Sequence, residues 1–331
     1  MKASIVFDIG GTFIRAGVYD NEEILHSIIL KEMSPNFKMY SSSADLLNAF
    51  RKVLYNMCNT LEEQYKNMVL TDVGISFPGP IKDGKQILNA PTLWGNEVTN
   101  ISIQDTFNDI FSNKNIHVIN DITAAGWRYL DEERNNFCII TISSGVGCKV
   151  FKEGKALLGT NAIGGELGHV FYRGQYSHIK CDCGAKGHIG AISSGRGIEN
   201  LAHFLSQQNQ IEFKKSVLYN SELSTYDIVS AIKSEDEFAI NILNESILPI
   251  ADSITFFTLT IGISDFILVG GFFNAVRDKY MEILQSAIIK NGIMGMNDDD
   301  VKKMLHSGMN DDNNGLIGVG KYINNINKNA L

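Results

Sequence analysis

The chain spells a strand, a glycine turn and a second strand twice, near residues 4–19 and again near residues 137–151. In the first copy an apolar run closes on an acid and turns through Asp8-Ile9-Gly10-Gly11-Thr12. It resumes at Phe13 with β-branched and aromatic residues. In the second, residues 137–142 meet Ser143-Ser144-Gly145-Val146-Gly147, and residues 149–151 continue as a strand. Each reads as a hairpin. Two copies make a weak internal repeat and exclude a short-period solenoid. At 331 residues the chain has room for two domains.

Elsewhere strands and helices alternate. Residues 43–66 have helical spacing with a Ser/Asp start. Residues 73–77 predict a strand stopped by Pro78-Gly79-Pro80, and Asp83-Gly84 a turn. Residues 117–119 predict a strand that ends in Asn120-Asp121, followed by a helix over 124–130. Residues 250–261 predict an apolar helix with Pro249 at its start and Gly262 at its end. Residues 266–269 predict a buried strand running into Gly270-Gly271. A polar loop at 310–314 precedes a closing helix over 315–322.

Charge and cysteine usage narrow the function. Lys plus Arg is 29 against 37 Asp plus Glu, a net charge of −8. That balance argues against a general nucleic-acid or membrane-surface binder. No run of about 18 consecutive apolar residues predicts a transmembrane helix. Asp8 comes too early for a secretory signal peptide. Five cysteines, an odd number without framework spacing, predict a reducing cytoplasm.

The glycine turns suggest phosphate chemistry. Backbone N–H groups at Gly10 and Gly11 can approach an anion, Thr12 adds a hydroxyl, and Asp8 can hold a hydrated Mg²⁺ beside the phosphates. The plainer reading of the same residues is a hairpin turn with a capping Asp. Ser144, Gly145, Val146 and Gly147 offer a second clamp, and Gly270-Gly271 a third turn that brings backbone against a nucleobase or ribose. Asp121 lies at a strand end, where α/β proteins gather ligands. It is either a helix-capping residue or the base that takes a proton from an attacking hydroxyl. His169, Cys181, Cys183 and His188 make four candidate Zn²⁺ ligands, with His178 as a substitute; with no open position, such a site is structural.

In order along nearly the whole chain, these motifs resemble the ROK family of bacterial-type sugar kinases, within the actin-like, hexokinase and Hsp70 ATPase fold. The Glu166-Leu167-Gly168-His169 and Cys181-Asp182-Cys183-Gly184 pair is the specific part of the match. The resemblance implies a two-lobed α/β fold with ribonuclease H-like lobes and a cleft between them. The first lobe is expected over 1–119 plus 314–331 and the second over 120–313. ATP is expected on the glycine turns, and a hexose or N-acylhexosamine against Gly79, Asn120, Asp121, Glu166 and His169. Asp121 matches the general base for phosphorylation, by default of the 6-hydroxyl. His169 matches both a sugar contact and a zinc ligand. The family is often dimeric or tetrameric.

Two positions depart from the family pattern Cys-X-Cys-Gly-X-X-Gly-Cys-X-Glu. His188 stands at the third cysteine, which keeps a Cys₂His₂ set. Gly190 stands at the glutamate and removes a carboxylate from the sugar site. The expected activity is an ATP-dependent sugar kinase. The alternatives are a sugar-binding regulator of the same fold and a degenerate scaffold. The regulators carry a helix-turn-helix domain ahead of the first hairpin, for which seven residues before Asp8 leave no room.

Overall fold

The computed structural model describes residues 2–111 and 113–329. They form two compact units. Unit 1 takes in the chain up to Arg134, residues 158–164 and the chain from Asp311 on; unit 2 is residues 135–157 and 165–310.

Unit 1 is built on a sheet of β1 (Lys2–Ile9), β2 (Phe13–Asp20), β3 (Leu30–Met33), β4 (Val69–Phe77) and β8 (Asn115–Asn120), in the order β3-β2-β1-β4-β8. β1 runs antiparallel to β2 and parallel to β4. β1 is apolar on both sides because both faces are covered. Ile5 and Phe7 join a core with Leu46, Phe50 and Leu54 of the helix Ser43–Gln64. Val6 joins a second core with Leu316 and Val319 of the closing helix, Asn314–Asn329. Each such side chain contributes about 1.5–3 kcal/mol on burial. A small antiparallel sheet of β5 (Ile81–Lys82), β6 (Gln86–Ala90) and β7 (Gly95–Ser102) follows the Pro78–Pro80 turn.

Unit 2 repeats the plan with β9 (Phe137–Ile142), β10 (Val146–Lys152), β11 (Lys155–Ala156), β12 (Phe266–Val269) and β13 (Leu305–Ser307), in the order β11-β10-β9-β12-β13. Here too the first strand is antiparallel to the second and parallel to the fourth. The faint repeat of the sequence is thus a repeat of sheet topology.

Two expectations change. Residues 120–134 fall in unit 1, whereas a boundary at 119/120 was expected. The helix Asp121–Tyr129 packs so closely on the closing helix that a Cβ on Gly318 would overlap the carbonyl of Ala124. Arg128 pairs with Asp311 and donates to Asn314 at 3.0 Å. Pro249 does not start its helix. That helix runs Glu237–Ile261 and is capped by Asp236, whose carboxylate accepts from the Ala239 N–H. Pro249 sits buried in its interior, while Gly262 closes it in the left-handed conformation at φ 71°. By length and composition this helix would span a membrane. Its Ile242, Leu243, Ile247, Ile250 and Ile254 are instead fully buried in the core of unit 2.

Candidate active site

In unit 1 the first glycine turn is exposed at its tip and fastened at its base. The Ser34 hydroxyl donates to the Gly10 carbonyl at 2.6 Å, and the Ser34 N–H to the Thr12 carbonyl at 2.9 Å. Asp8 stands at the end of β1, directly opposite Arg15 on β2. Its carboxylate accepts from the Arg15 guanidinium at 2.5 Å and from the Ser76 hydroxyl at 2.8 Å. Gly315, in the first turn of the closing helix, lies against the same carboxylate. Arg15 and Ser76 were not singled out from sequence. A two-glycine turn would pair position 8 with position 13; the observed register, Ile9 opposite Ile14, closes a four-residue loop and brings Arg15 opposite Asp8 instead.

Two strands over in the same sheet, β8 delivers Asn120 and Asp121 into the start of a helix. The Asn120 side-chain oxygen caps that helix, accepting from the Ile122 and Thr123 N–H groups at 3.1 and 3.2 Å. The Asn120 amide donates to the Gly79 carbonyl at 3.1 Å and to Asp121 Oδ1 at 2.8 Å. Asp121 Oδ1 also accepts from the Ile122 N–H at 2.9 Å. The capping role thus falls to Asn120, and its amide orients the neighbouring carboxylate. Gly79, Asn120 and Asp121 form one network.

In unit 2 the two remaining glycine turns come together. Gly270 has φ 116°, and a Cβ there would overlap the backbone of Ile142. Only glycine lets the end of β12 approach the end of β9 this closely. Gly271 then lies 3.8 Å, measured from a Cβ position, from the Ser143 hydroxyl. The helix Gly195–Gln208 also begins here: the Gly195 N–H donates to the Ser143 carbonyl at 2.7 Å, and Arg196 Nε to the Ser144 carbonyl at 3.1 Å. A helix N-terminus beside two glycine turns is a favourable setting for phosphate. The Gly195-Arg196-Gly197 signal was passed over in the sequence.

The Glu166–His169 segment lies across β10. Gly165 has φ 93°, its carbonyl accepts from the Cys148 N–H at 2.9 Å, and a Cβ there would overlap the Cys148 carbonyl. Glu166 is 3.9 Å from the ammonium of Lys149, a β10 residue only 1% exposed.

His169 continues into the cysteine loop. The ligand atoms of His169, Cys181, Cys183 and His188 all lie within 4.8 Å of one another. Cys183 Sγ is 3.2 Å from His188 Nδ1. Tetrahedral Zn²⁺ requires ligand separations of roughly 3.3–3.8 Å, a contraction of about 1 Å. Burial, and then the neighbouring His169, lower the His188 pKa, which favours the neutral imidazole a metal needs. Burial pushes the Cys181 thiol up, so a dication there would be needed to hold the thiolate. The donor set therefore fits Zn²⁺. His178 is not among the four; its ring packs on Phe204 at 4.8 Å. Gly190 opens a short helix, Gly190–Ser193, and a Cβ there would stand 3.0 Å from the Gly168 carbonyl.

The chain is similar to several named sugar kinases. A C(7)-cyclitol 7-kinase of Streptomyces hygroscopicus subsp. limoneus is 31% identical over 255 residues, 75% of this chain and 72% of that protein. An N-acetylmannosamine kinase of Citrobacter koseri is 28% identical over 200 residues, 59% of this chain and 63% of that protein. Among solved structures, a ROK family glucokinase from Streptomyces griseus in complex with glucose and AMPPNP superposes with a TM-score of 0.73 at 20% identity, covering 97% of this chain and 98% of that one. The sequence profile described as ROK family matches residues 4–324. The chain belongs to the ROK family and has the actin-like two-domain fold of its sugar kinases.

Proposed function

We propose that this carbohydrate kinase transfers the γ-phosphoryl group of ATP to a hydroxyl of a six-membered polyhydroxylated ring, with Asp121 as general base. The ring is a hexose, an N-acylhexosamine or, following the 31% identical relative, a cyclitol. The default acceptor is the exocyclic hydroxyl, the 6-hydroxyl in a hexose. The observation that carries the reading is the network of Gly79, Asn120 and Asp121, which fixes a carboxylate just past the end of β8.

Asp121 takes the proton of the sugar hydroxyl as its oxygen bonds to the γ-phosphorus. The bond from that phosphorus to the bridging oxygen breaks, and ADP leaves. Backbone N–H groups of Gly11 and Thr12 and of residues 144–147, with the hydroxyls of Thr12 and Ser144, hold phosphate oxygens where charge develops; the Gly10 N–H is spent inside the turn on the Phe13 carbonyl at 2.9 Å. Gly270 and Gly271 carry the nucleoside end. Asp8 serves Mg²⁺; its carboxylate, held by Arg15 and Ser76, suits a contact through the waters that Mg²⁺ keeps. When bound, Mg²⁺ neutralises the polyphosphate. Asn120, Glu166 and His169 bind ring hydroxyls.

His169, Cys181, Cys183 and His188 hold one structural Zn²⁺. Imidazole has two nitrogens, so His169 can ligate with one and meet the sugar with the other. The test is ADP release with ATP, Mg²⁺ and a panel of glucose, N-acetylglucosamine, N-acetylmannosamine, myo-inositol and a C7 cyclitol. One acceptor should raise ADP release well above the rate with water alone. A panel without any acceptor-dependent ADP release would refute the reading.

A further inference from the structure

Lysine is a costly residue to bury, and Lys149 is 1% exposed in the middle of β10. An ammonium taken out of water is tolerated where a negative charge offsets its lost hydration. The Glu166 carboxylate, 3.9 Å away, is a negative charge within ion-pair range. The pair is asymmetric: Glu166 is 40% exposed, so the lysine is the fixed member and the glutamate the one that meets solvent and ligand.

The backbone makes the placement tight. The Gly165 carbonyl is hydrogen-bonded to the Cys148 N–H, and a Cβ on Gly165 would come within 3.0 Å of Lys149 Cδ. Gly168, on the other side of Glu166, presses as closely on the Val146 carbonyl. The loop is therefore clamped to β10 at both ends of Glu166, with the lysine stem beneath it.

We propose that Lys149 is a positioning residue for sugar binding. Its fixed charge holds the Glu166 carboxylate in one orientation, ready to accept from a ring hydroxyl. Free of that neighbour, an exposed glutamate would spend most of its time in other rotamers, and binding would have to order it. Lys149 also balances the charge of Glu166, so the pair presents an acceptor without presenting a net negative charge to the sugar.

The inference rests on the assignment of Glu166 to the sugar, and a double-mutant cycle separates the two. Steady-state kinetics are measured for wild type, Lys149→Met, Glu166→Gln and the double variant, with the best acceptor of the panel above. Met keeps the unbranched stem, and thermal unfolding reports folding. Lys149→Met should raise the sugar KM roughly 10- to 100-fold, the range for losing the charge-assisted hydrogen bond from a ring hydroxyl to a Glu166 carboxylate that is no longer oriented. The KM for ATP and the kcat should stay within about threefold. Glu166→Gln should raise the sugar KM similarly, and the double variant should be no worse than the poorer single variant, because the two side chains act as one unit.

If Glu166→Gln raises the sugar KM and Lys149→Met does not, the positioning role is overturned while the sugar assignment stands. Additive effects in the double variant, or a parallel rise in the KM for ATP, overturn it as well. If Glu166→Gln leaves the sugar KM unchanged, the assignment of Glu166 fails and the role of Lys149 fails with it. Should Lys149→Met not fold, Lys149→Gln, which keeps a polar head in the slot, takes its place with the same criteria.

Discussion

At the scale of single residues, the Asn120-Asp121 corner divides labour between two adjacent side chains. Asn120 uses its oxygen on the helix and its amide on Gly79 and Asp121. Asp121 is thereby oriented through Oδ1, which accepts from Asn120 and from the Ile122 N–H. Asp121→Asn should therefore leave the fold and ATP affinity close to wild type while lowering kcat by about 10²–10⁴, the span of general base catalysis; turnover near wild type removes the assignment. Gly190 is the second position where one residue decides. The resemblance expects a carboxylate there. A missing charged hydrogen bond to a sugar is worth about 1.5–3 kcal/mol, so wild type should prefer a substituted ring or a cyclitol over glucose in kcat/KM. Gly190→Glu should move the preference toward glucose. Its Cβ would stand 3.0 Å from the Gly168 carbonyl, so Gly190→Ala belongs in the comparison as the control for space alone. A wild type that prefers glucose contradicts the argument.

At the scale of elements, legibility followed the range of the interaction. Both hairpins could be read because a glycine turn between apolar runs is a local signal. The turns near residues 10–12, 143–145 and 270 could be read for the same reason. Pro249 was misread because a proline signals a helix start only when nothing upstream is helical, and Glu237–Ile261 is held by buried contacts on both sides of it. Arg15, Lys149 and Gly195 were missed because their meaning lies in what the fold brings beside them. The closing helix is the extreme case. Its Gly315, Gly318 and Gly320 read as poor helix formers, yet they let it lie against Asp8, the Ala124 carbonyl and the Tyr19 ring. Gly318→Ala should cost more than about 3 kcal/mol in urea unfolding, beyond any gain in helix propensity, because neither backbone can yield without opening the helix pair. A neutral or stabilising effect would show that the two helices have slack. The cysteine loop makes its own prediction. Protein purified without chelator should carry about one zinc per chain, and Cys183→Ser should lose it; metal-free protein of full sugar affinity would contradict the zinc assignment.

At the scale of the whole molecule, one sheet plan serves two units with different burdens, and acid should find the weaker point through buried carboxylates. In unit 1, Asp72 on β4 is 4% exposed. It accepts from Thr71 at 2.7 Å, from Asn115 of β8 at 3.1 Å and from Asn327 of the closing helix at 3.5 Å, with His117 Nε2 at 3.4 Å. Burial alone would raise its pKa. The hydrogen bonds from His117, Thr71 and Asn115 outweigh burial and hold it at about 2, against an ordinary 3.8. Between those values the unfolded chain binds a proton that the folded chain refuses. The stabilisation is therefore complete above about pH 4 and is lost as pH falls through the folded value, and it amounts to about 2 kcal/mol. Asp311, held down by its bond from Arg128, adds to the same trend in unit 1. In unit 2, the N-cap Asp236 stays below its ordinary value because four hydrogen bonds outweigh its burial. Asp72→Asn keeps the shape and removes the titration. Urea unfolding of wild type and variant at a series of pH values should show the variant weaker by up to about 2 kcal/mol at neutral pH, with the difference shrinking between pH 4 and 2. Two curves that run parallel down to pH 2 would mean that the charge of Asp72 does not hold β4, β8 and the closing helix together.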